Sequence, residues 1–199
     1  MTIANYFTIF RIFISPIFLL IYLEHETVGI SSQTLPYLLL ILLIVSEASD
    51  AIDGYLARKL EQVTDFGKIF DPMADSIYRI SIFLTFTLQP VQLPMLLIFV
   101  FIYRDSVIST LRTICAMKGF VLAARKSGKI KAVIQAIAAI TVTILLIPHS
   151  LGIITTSTLQ SASSWVVGVA ALYTIISGIE YFIANREYIS RALRPIGSD

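Results

Sequence analysis

The chain has 199 residues, 56% hydrophobic and 14% charged, with a net charge of +2 and a mean hydropathy of +0.82. Soluble domains carry roughly 25% charged residues, so the composition argues against an ordinary soluble enzyme, a disordered chain or a nucleic-acid binder. What remains is an integral membrane protein, one domain over residues 1–199, whose one cysteine, Cys115, cannot form an intrachain disulfide.

A helix that crosses a membrane needs about 20 mostly apolar residues. Apolar run lengths and helix breakers predict six, near 5–23, 36–58, 66–88, 94–116, 129–147 and 161–184. The first, with Arg11 ahead of an apolar run, would also suit a signal peptide. No clear small-residue cleavage site follows and five further spans do, so it is expected to be uncleaved. A short basic turn joins the second helix to the third as an antiparallel hairpin. Pro90 and Pro94 divide the uncharged stretch 80–103 between the third and fourth helices. The uncharged stretch 150–179 is too long for one span, and its polar beginning, 150–161, is expected to lie outside the sixth helix. The last residues, from Pro195, are expected to be loose.

Lysine and arginine cluster around 59–65, 117–128 and the tail, and are absent from 24–35, 89–93 and 148–160. Positive residues stay on the cytoplasmic side, so both termini are predicted to be cytoplasmic. His25 and His149 then fall on the outer side as solvated loop residues, and Trp165 and the tyrosines of the sixth helix read as interface anchors or packing.

Charge inside a span costs about 2.5–3.5 kcal/mol per residue on insertion scales. Here the acidic residues are concentrated: Asp50 and Asp53 at the inner end of the second helix, Asp71 and Asp75 near the inner start of the third. Asp50, Asp53 and Ala57 share one helical face, bordered by Gly54 and Arg58, and Gly67, Asp71 and Asp75 share another. If the faces meet, four carboxylates converge, and in a low dielectric they must protonate or bind cations. Two divalent ions would balance them, and all-oxygen donors suit Mg²⁺, Mn²⁺ or Ca²⁺ better than zinc. Gly54, Ala57 and Gly67 leave room for a ligand near the backbone. Ion pairing with Arg58, Lys68 and Arg79 is the simpler alternative, but it needs neither four aspartates nor small residues between them. Glu47, one turn before Asp50, is a possible outer support. Arg79, one turn beyond Asp75, is placed to reach it or Glu180.

Written out, the segment is D50-x2-D53-G54-x2-A57-R58-x8-G67-x3-D71-x3-D75. It resembles the signature of the CDP-alcohol phosphatidyltransferases, a family with a six-helix membrane core, and all eight fixed positions are filled. The resemblance implies transfer of a phosphatidyl group from a CDP-linked lipid to an alcohol with release of CMP. It implies that Asp50, Asp53 and Asp71 bind two divalent cations, Mg²⁺ or Mn²⁺, and that Asp75 is both a metal ligand and the base for the attacking hydroxyl. Asp53, Gly54, Ala57 and Arg58 would lie along the CDP-lipid, with Gly67 close by. A homodimer in the bacterial inner membrane, its site facing the cytoplasm, is implied too. Such chemistry suits these residue types, because metals can clamp the donor phosphates and a carboxylate can take the alcohol proton.

Within the family, the chain is most similar to the bacterial branch whose substrates are CDP-diacylglycerol and glycerol 3-phosphate. The similarity is carried by Asn5-x2-Thr8-x2-Arg11, by the run from Gly54 to Pro72, and by Arg104-Asp105, Leu111-Arg112, Lys118-Gly119 and Gly128-Lys129-x-Lys131 with Gln135. One departure is Ser76, where that branch usually has lysine. A dianionic acceptor needs cations besides the metals. Arg104 sits inside a span with Asp105 directed elsewhere around the helix, and Arg112 is eight residues on, on roughly the same face. Arg104, Arg112, Lys129 and Lys131 are the expected acceptor-phosphate ligands, whereas Arg125 and Lys126 read as topology determinants. Three rivals remain: another acceptor within the family (cardiolipin, inositol-phosphate or serine type), a divalent-cation transporter, and an intramembrane aspartyl protease. The uncharged outer halves of the helices argue against a transporter, and a protease needs only two aspartates.

Overall fold

A computed structural model describes residues 3–59, 65–119, 122 and 125–193, with side chains described over 10–49, 73–119, 122 and 125–190. All regular structure among them is helical: α1 (Ile3–Glu24), α2 (Leu35–Lys59), α3 (Asp65–Thr85), α4 (Met95–Met117), α5 (Lys126–Ser150), α6 (Thr156–Ala184) and α7 (Arg186–Leu193). The six long helices coincide with the six predicted ones to within a few residues. The seventh replaces part of the expected tail.

Helix ends follow local chemistry. Pro94 caps α4, since its missing N–H costs nothing ahead of the first turn. Gly119, at φ +80, follows the last turn of α4, and its N–H bonds the Ala116 carbonyl. α6 starts at Thr156, five residues ahead of expectation, because the Thr155 hydroxyl accepts from the Thr158 N–H at 3.3 Å and satisfies the polar first turn. α3 stops at Thr85, earlier than expected, where the backbone turns and the Leu93 N–H bonds the Phe86 carbonyl. At the far end, Asn185 donates its side-chain N–H to the Tyr181 carbonyl, and its own carbonyl accepts from Ile189. That residue closes α6 and opens α7.

α1 lies along α3 and α2, α2 also meets α5, α5 pairs with α6, and α4 bridges α3 and α6, with α7 folded back on α4 and α6. One end of the bundle has an apolar interior of Phe18, Leu39, Phe83, Phe86, Phe101 and Val142, all buried. Phe18 and Phe86 meet edge to face at 5.8 Å, and Phe83 lies tilted against Phe101 at 4.9 Å. A smaller cluster of Ile108, Cys115, Leu122 and Tyr181 joins α4 to α6 near the other end.

α5 and α6 meet largely through small and hydroxyl side chains. α5 buries Ser127, Lys131, Gln135, Ala138, Ala139 and Thr143 along one stripe, and α6 buries Ser163, Ala170, Ala171, Thr174, Ser177 and Gly178. Val142, Leu146, Leu159 and Val167 are buried with them, but other large apolar residues face outward, Trp165 at 78% exposure and Val133, Ile137, Val169, Leu172 and Ile183 all above half. Small and hydroxyl residues at contacts with large apolar ones outside are what helices in lipid adopt, since lipid covers the outer surface and close packing holds the inside. α5 and α6 are each long and apolar enough to cross a membrane.

Candidate active site

Asp50, Asp53, Gly54, Ala57 and Arg58 all lie on the continuous helix α2, and Gly67, Asp71 and Asp75 on α3. The helical spacing that puts each set on one face therefore holds in the backbone. Apart from Asp75, the side chains of these residues lie outside the described ones, and among the described residues no three carboxylate, imidazole or thiol groups converge. The expected donors are four carboxylates, and neither helix carries a cysteine or histidine. Such oxygen-only chemistry fits hard divalent cations.

Asp75 forms an ion pair with Arg11 of α1, whose side chain is only 3% exposed. Arg11 was read from sequence only as part of the opening segment. Its place in the middle of an apolar helix was the available signal, because a buried guanidinium requires an anionic partner. Arg79, one turn beyond Asp75, goes elsewhere than expected. It donates to the Ala132 carbonyl on α5 and lies 3.9 Å from the Glu47 carboxylate on α2. Asp75 is taken by Arg11, and Glu180 pairs with Arg125 at 3.5 Å on the surface. Arg79 thus ties α3 to both α2 and α5.

The second polar centre is Asp105 on α4. Lys131 of α5 donates to both its oxygens, at 2.7 and 2.9 Å. Arg104 donates Nη1–H to Oδ1 at 3.0 Å, and Ser76 of α3 donates its hydroxyl to Oδ2 at 3.1 Å. The expectation that Asp105 is directed away from Arg104 is corrected here. The two Cα–Cβ bonds do diverge, but the arginine side chain is long enough to turn back. Gly178 of α6 makes room for that turn, since a Cβ there would stand 3.3 Å from the Arg104 Cγ. Gly128 of α5 lies beneath the other end, where a Cβ would be 3.6 Å from Nη2.

Arg112 also faces α6. Its Nε donates to the Tyr181 hydroxyl at 3.2 Å, and its guanidinium carbon sits 5.4 Å from the ring centroid. Both α4 arginines therefore share the face predicted from their spacing. Of the expected acceptor ligands, Arg104 and Lys131 meet on one carboxylate, Arg112 is held separately by Tyr181, and Lys129 is exposed on α5. Tyr181, expected from sequence to be an interface anchor or packing, is also the partner of a candidate site residue. Outside the site, Nδ1 of His25 is 3.2 Å from the Tyr22 carbonyl, and Nε2 of His149 is 3.2 Å from the Thr156 hydroxyl.

Comparison with known proteins identifies the family. Residues 1–176 match the family model described as CDP-alcohol phosphatidyltransferase. Among curated proteins, the chain is 35% identical over 189 residues to a CDP-diacylglycerol--glycerol-3-phosphate 3-phosphatidyltransferase of Bacillus subtilis, covering 92% of this chain and 94% of the relative. It is 32% identical over 187 residues to a protein of the same name from Rickettsia typhi, covering 92% and 97%. A probable phosphatidylglycerophosphate synthase of Mycobacterium tuberculosis is 27% identical over 194 residues, covering 98% and 83%.

Proposed function

The chain belongs to the CDP-alcohol phosphatidyltransferase family, and from that premise we propose that it transfers the phosphatidyl group of CDP-diacylglycerol to glycerol 3-phosphate, giving phosphatidylglycerophosphate and CMP. The observation that carries the acceptor assignment is the full-length similarity to relatives named for this reaction. The complete aspartate signature on α2 and α3 is in keeping with it.

In this reading a hydroxyl oxygen of glycerol 3-phosphate attacks the phosphatidyl phosphorus. The bond from that phosphorus to the CMP oxygen breaks, and the hydroxyl proton passes to Asp75. Two divalent cations, Mg²⁺ or Mn²⁺, held by Asp50, Asp53, Asp71 and Asp75, would polarise the donor pyrophosphate and neutralise charge on the leaving group. Asp53, Gly54, Ala57, Arg58 and Gly67 would line the CDP-lipid. Arg11 fixes where the Asp75 carboxylate points, and a base must be positioned before its strength matters. Arg104 and Arg112 would take the acceptor phosphate, with Lys129 at the mouth and Lys131 behind, holding Asp105.

We further infer that the six long helices cross the inner membrane with both termini and the site on the cytoplasmic side, as a homodimer. A donor with acyl tails in the bilayer and its nucleotide in water presents its reacting phosphorus at that interface. A cation-transport reading would need polar groups through both halves of the bundle. Instead, the buried charges Arg11, Arg79, Asp105 and Lys131 gather toward one end, and the other is filled by Phe18, Leu39 and Phe86.

Purified protein supplied with CDP-diacylglycerol, Mg²⁺ and one acceptor at a time decides the matter. CMP release should depend on glycerol 3-phosphate and be negligible with serine, inositol phosphate or phosphatidylglycerol. Preference for any of those three would reassign the acceptor.

A further inference from the structure

We propose that Asp105 is a positioning residue for the acceptor site, and that Ser76 registers it to the reacting end of α3; the proposal rests on the glycerol 3-phosphate reading above. Four hydrogen bonds from three side chains saturate the two carboxylate oxygens: two from Lys131, one from Arg104 and one from Ser76. Those donors come from α3, α4 and α5. Ser76 is the residue after Asp75, so the same carboxylate that holds Arg104 is tied next to the proposed base.

The arrangement favours an anion. Two cations and one carboxylate leave a net single positive charge with Asp105 only 11% and Lys131 only 7% exposed. Arg104 is held through Nη1 on Asp105, in space that Gly178 leaves for its stem and Gly128 for Nη2. Its Nε is buried with no hydrogen-bond acceptor. An unpaired buried donor is costly, and an oxygen of a bound phosphate is the kind of group that would satisfy it. Fixing a guanidinium before the ligand arrives removes the ordering cost from binding. Asp105 thus raises acceptor affinity although its own charge repels the acceptor. A serine fits beside this carboxylate because a hydroxyl donates one bond without adding a third cation to the cluster.

The opposed signs make the proposal testable. The full-length protein in detergent with Mg²⁺ is assayed by CMP release, varying glycerol 3-phosphate at saturating CDP-diacylglycerol and then the reverse. If Asp105 acted only through its charge, Asp105→Asn would lower the KM for glycerol 3-phosphate, and if it were only structural, both KM values and kcat would worsen together. As a positioning residue, its loss raises the acceptor KM by about tenfold or more, with the donor KM within about twofold. Ser76→Ala leaves the charge unchanged and should raise the acceptor KM by about fivefold, less than the full worth of a hydrogen bond to a carboxylate because Ser76 acts through Asp105 and not on the acceptor. Ser76→Thr, which keeps the hydroxyl, should return it to within about twofold. If Asp105→Asn does not fold, the Ser76 pair decides. An unchanged or lowered acceptor KM in Asp105→Asn, or in Ser76→Ala, overturns the proposal. If Arg104→Ala still raises that KM, the acceptor reading survives; if the unsubstituted protein does not use glycerol 3-phosphate, both fall.

Discussion

In the proposed reaction Asp75 has one role more than Asp50, Asp53 and Asp71, and substitution separates the roles. Asp75→Asn keeps the shape and one oxygen donor but removes the proton acceptor and the partner of Arg11. Loss of a general base costs about 10²–10⁴ in rate, so kcat should fall in that range while donor affinity stays within a few-fold. Asp53→Asn should weaken metal-dependent donor binding as well. Measuring kcat and CDP-lipid Kd for both variants across a Mg²⁺ titration checks the split. Recovery of Asp75→Asn to near wild-type kcat at saturating metal would leave it a ligand only. The aspartates were legible because charge in an apolar helix is conspicuous and helical spacing is fixed. Their partners were less so. Nothing in the linear order relates Arg11 to Asp75, or Ser76 to Asp105, since such pairs are made by the packing of separate helices.

At the scale of the elements, apolar run length located every long helix, but boundaries depended on caps. Residues 150–161 read as a polar connection, yet α6 begins at Thr156 because Thr155 closes its first turn. Thr155→Ala should cost about 1 kcal/mol and lower the detergent-solubilised Tm by roughly 2–4 °C, with kcat at 25 °C unchanged. No loss of Tm in thermal unfolding would show that packing against the loop, where the Gln160 side chain donates to the Pro90 carbonyl at 3.1 Å, governs that end. α7 escaped notice because eight residues are too few for a periodicity argument. In hindsight its signal was Tyr188, Ile189, Ala192 and Leu193 on one face, with Glu187 in the first turn. α5 and α6 show no hydrophobic periodicity worth reading, but they have a periodicity of size, with small residues on the buried stripe.

Taken together, the described residues form an apolar end and a charged end, and the proposed membrane placement rests on that asymmetry together with the lysine and arginine bias. The single cysteine, Cys115, is buried, so introduced cysteines report cleanly. Cysteine at Thr27 should react with an impermeant maleimide from outside intact spheroplasts, and cysteine at Lys126 only after permeabilisation. The reverse pattern would invert the proposed orientation. The charged end makes a second demand. If four carboxylates share one site, excess EDTA should abolish CMP release, and added Mg²⁺ or Mn²⁺ should restore it. Full turnover in EDTA would remove the metals from the reaction.

By itself the sequence determined the membrane class, the number and approximate extent of the long helices, and the placing of the four aspartates on two of them, because each is written in quantities local to the chain: transfer free energy, run length and spacing along one helix. Tertiary structure alone decided which charge meets which. It put Arg79 on Glu47 and the Ala132 carbonyl, in place of Asp75 or Glu180, and turned Arg104 back onto Asp105 in the space left by Gly178. A buried ion pair is a contact a few ångströms wide between helices far apart in sequence. Its identity depends on how those helices rotate against one another, which close packing settles and no single segment encodes.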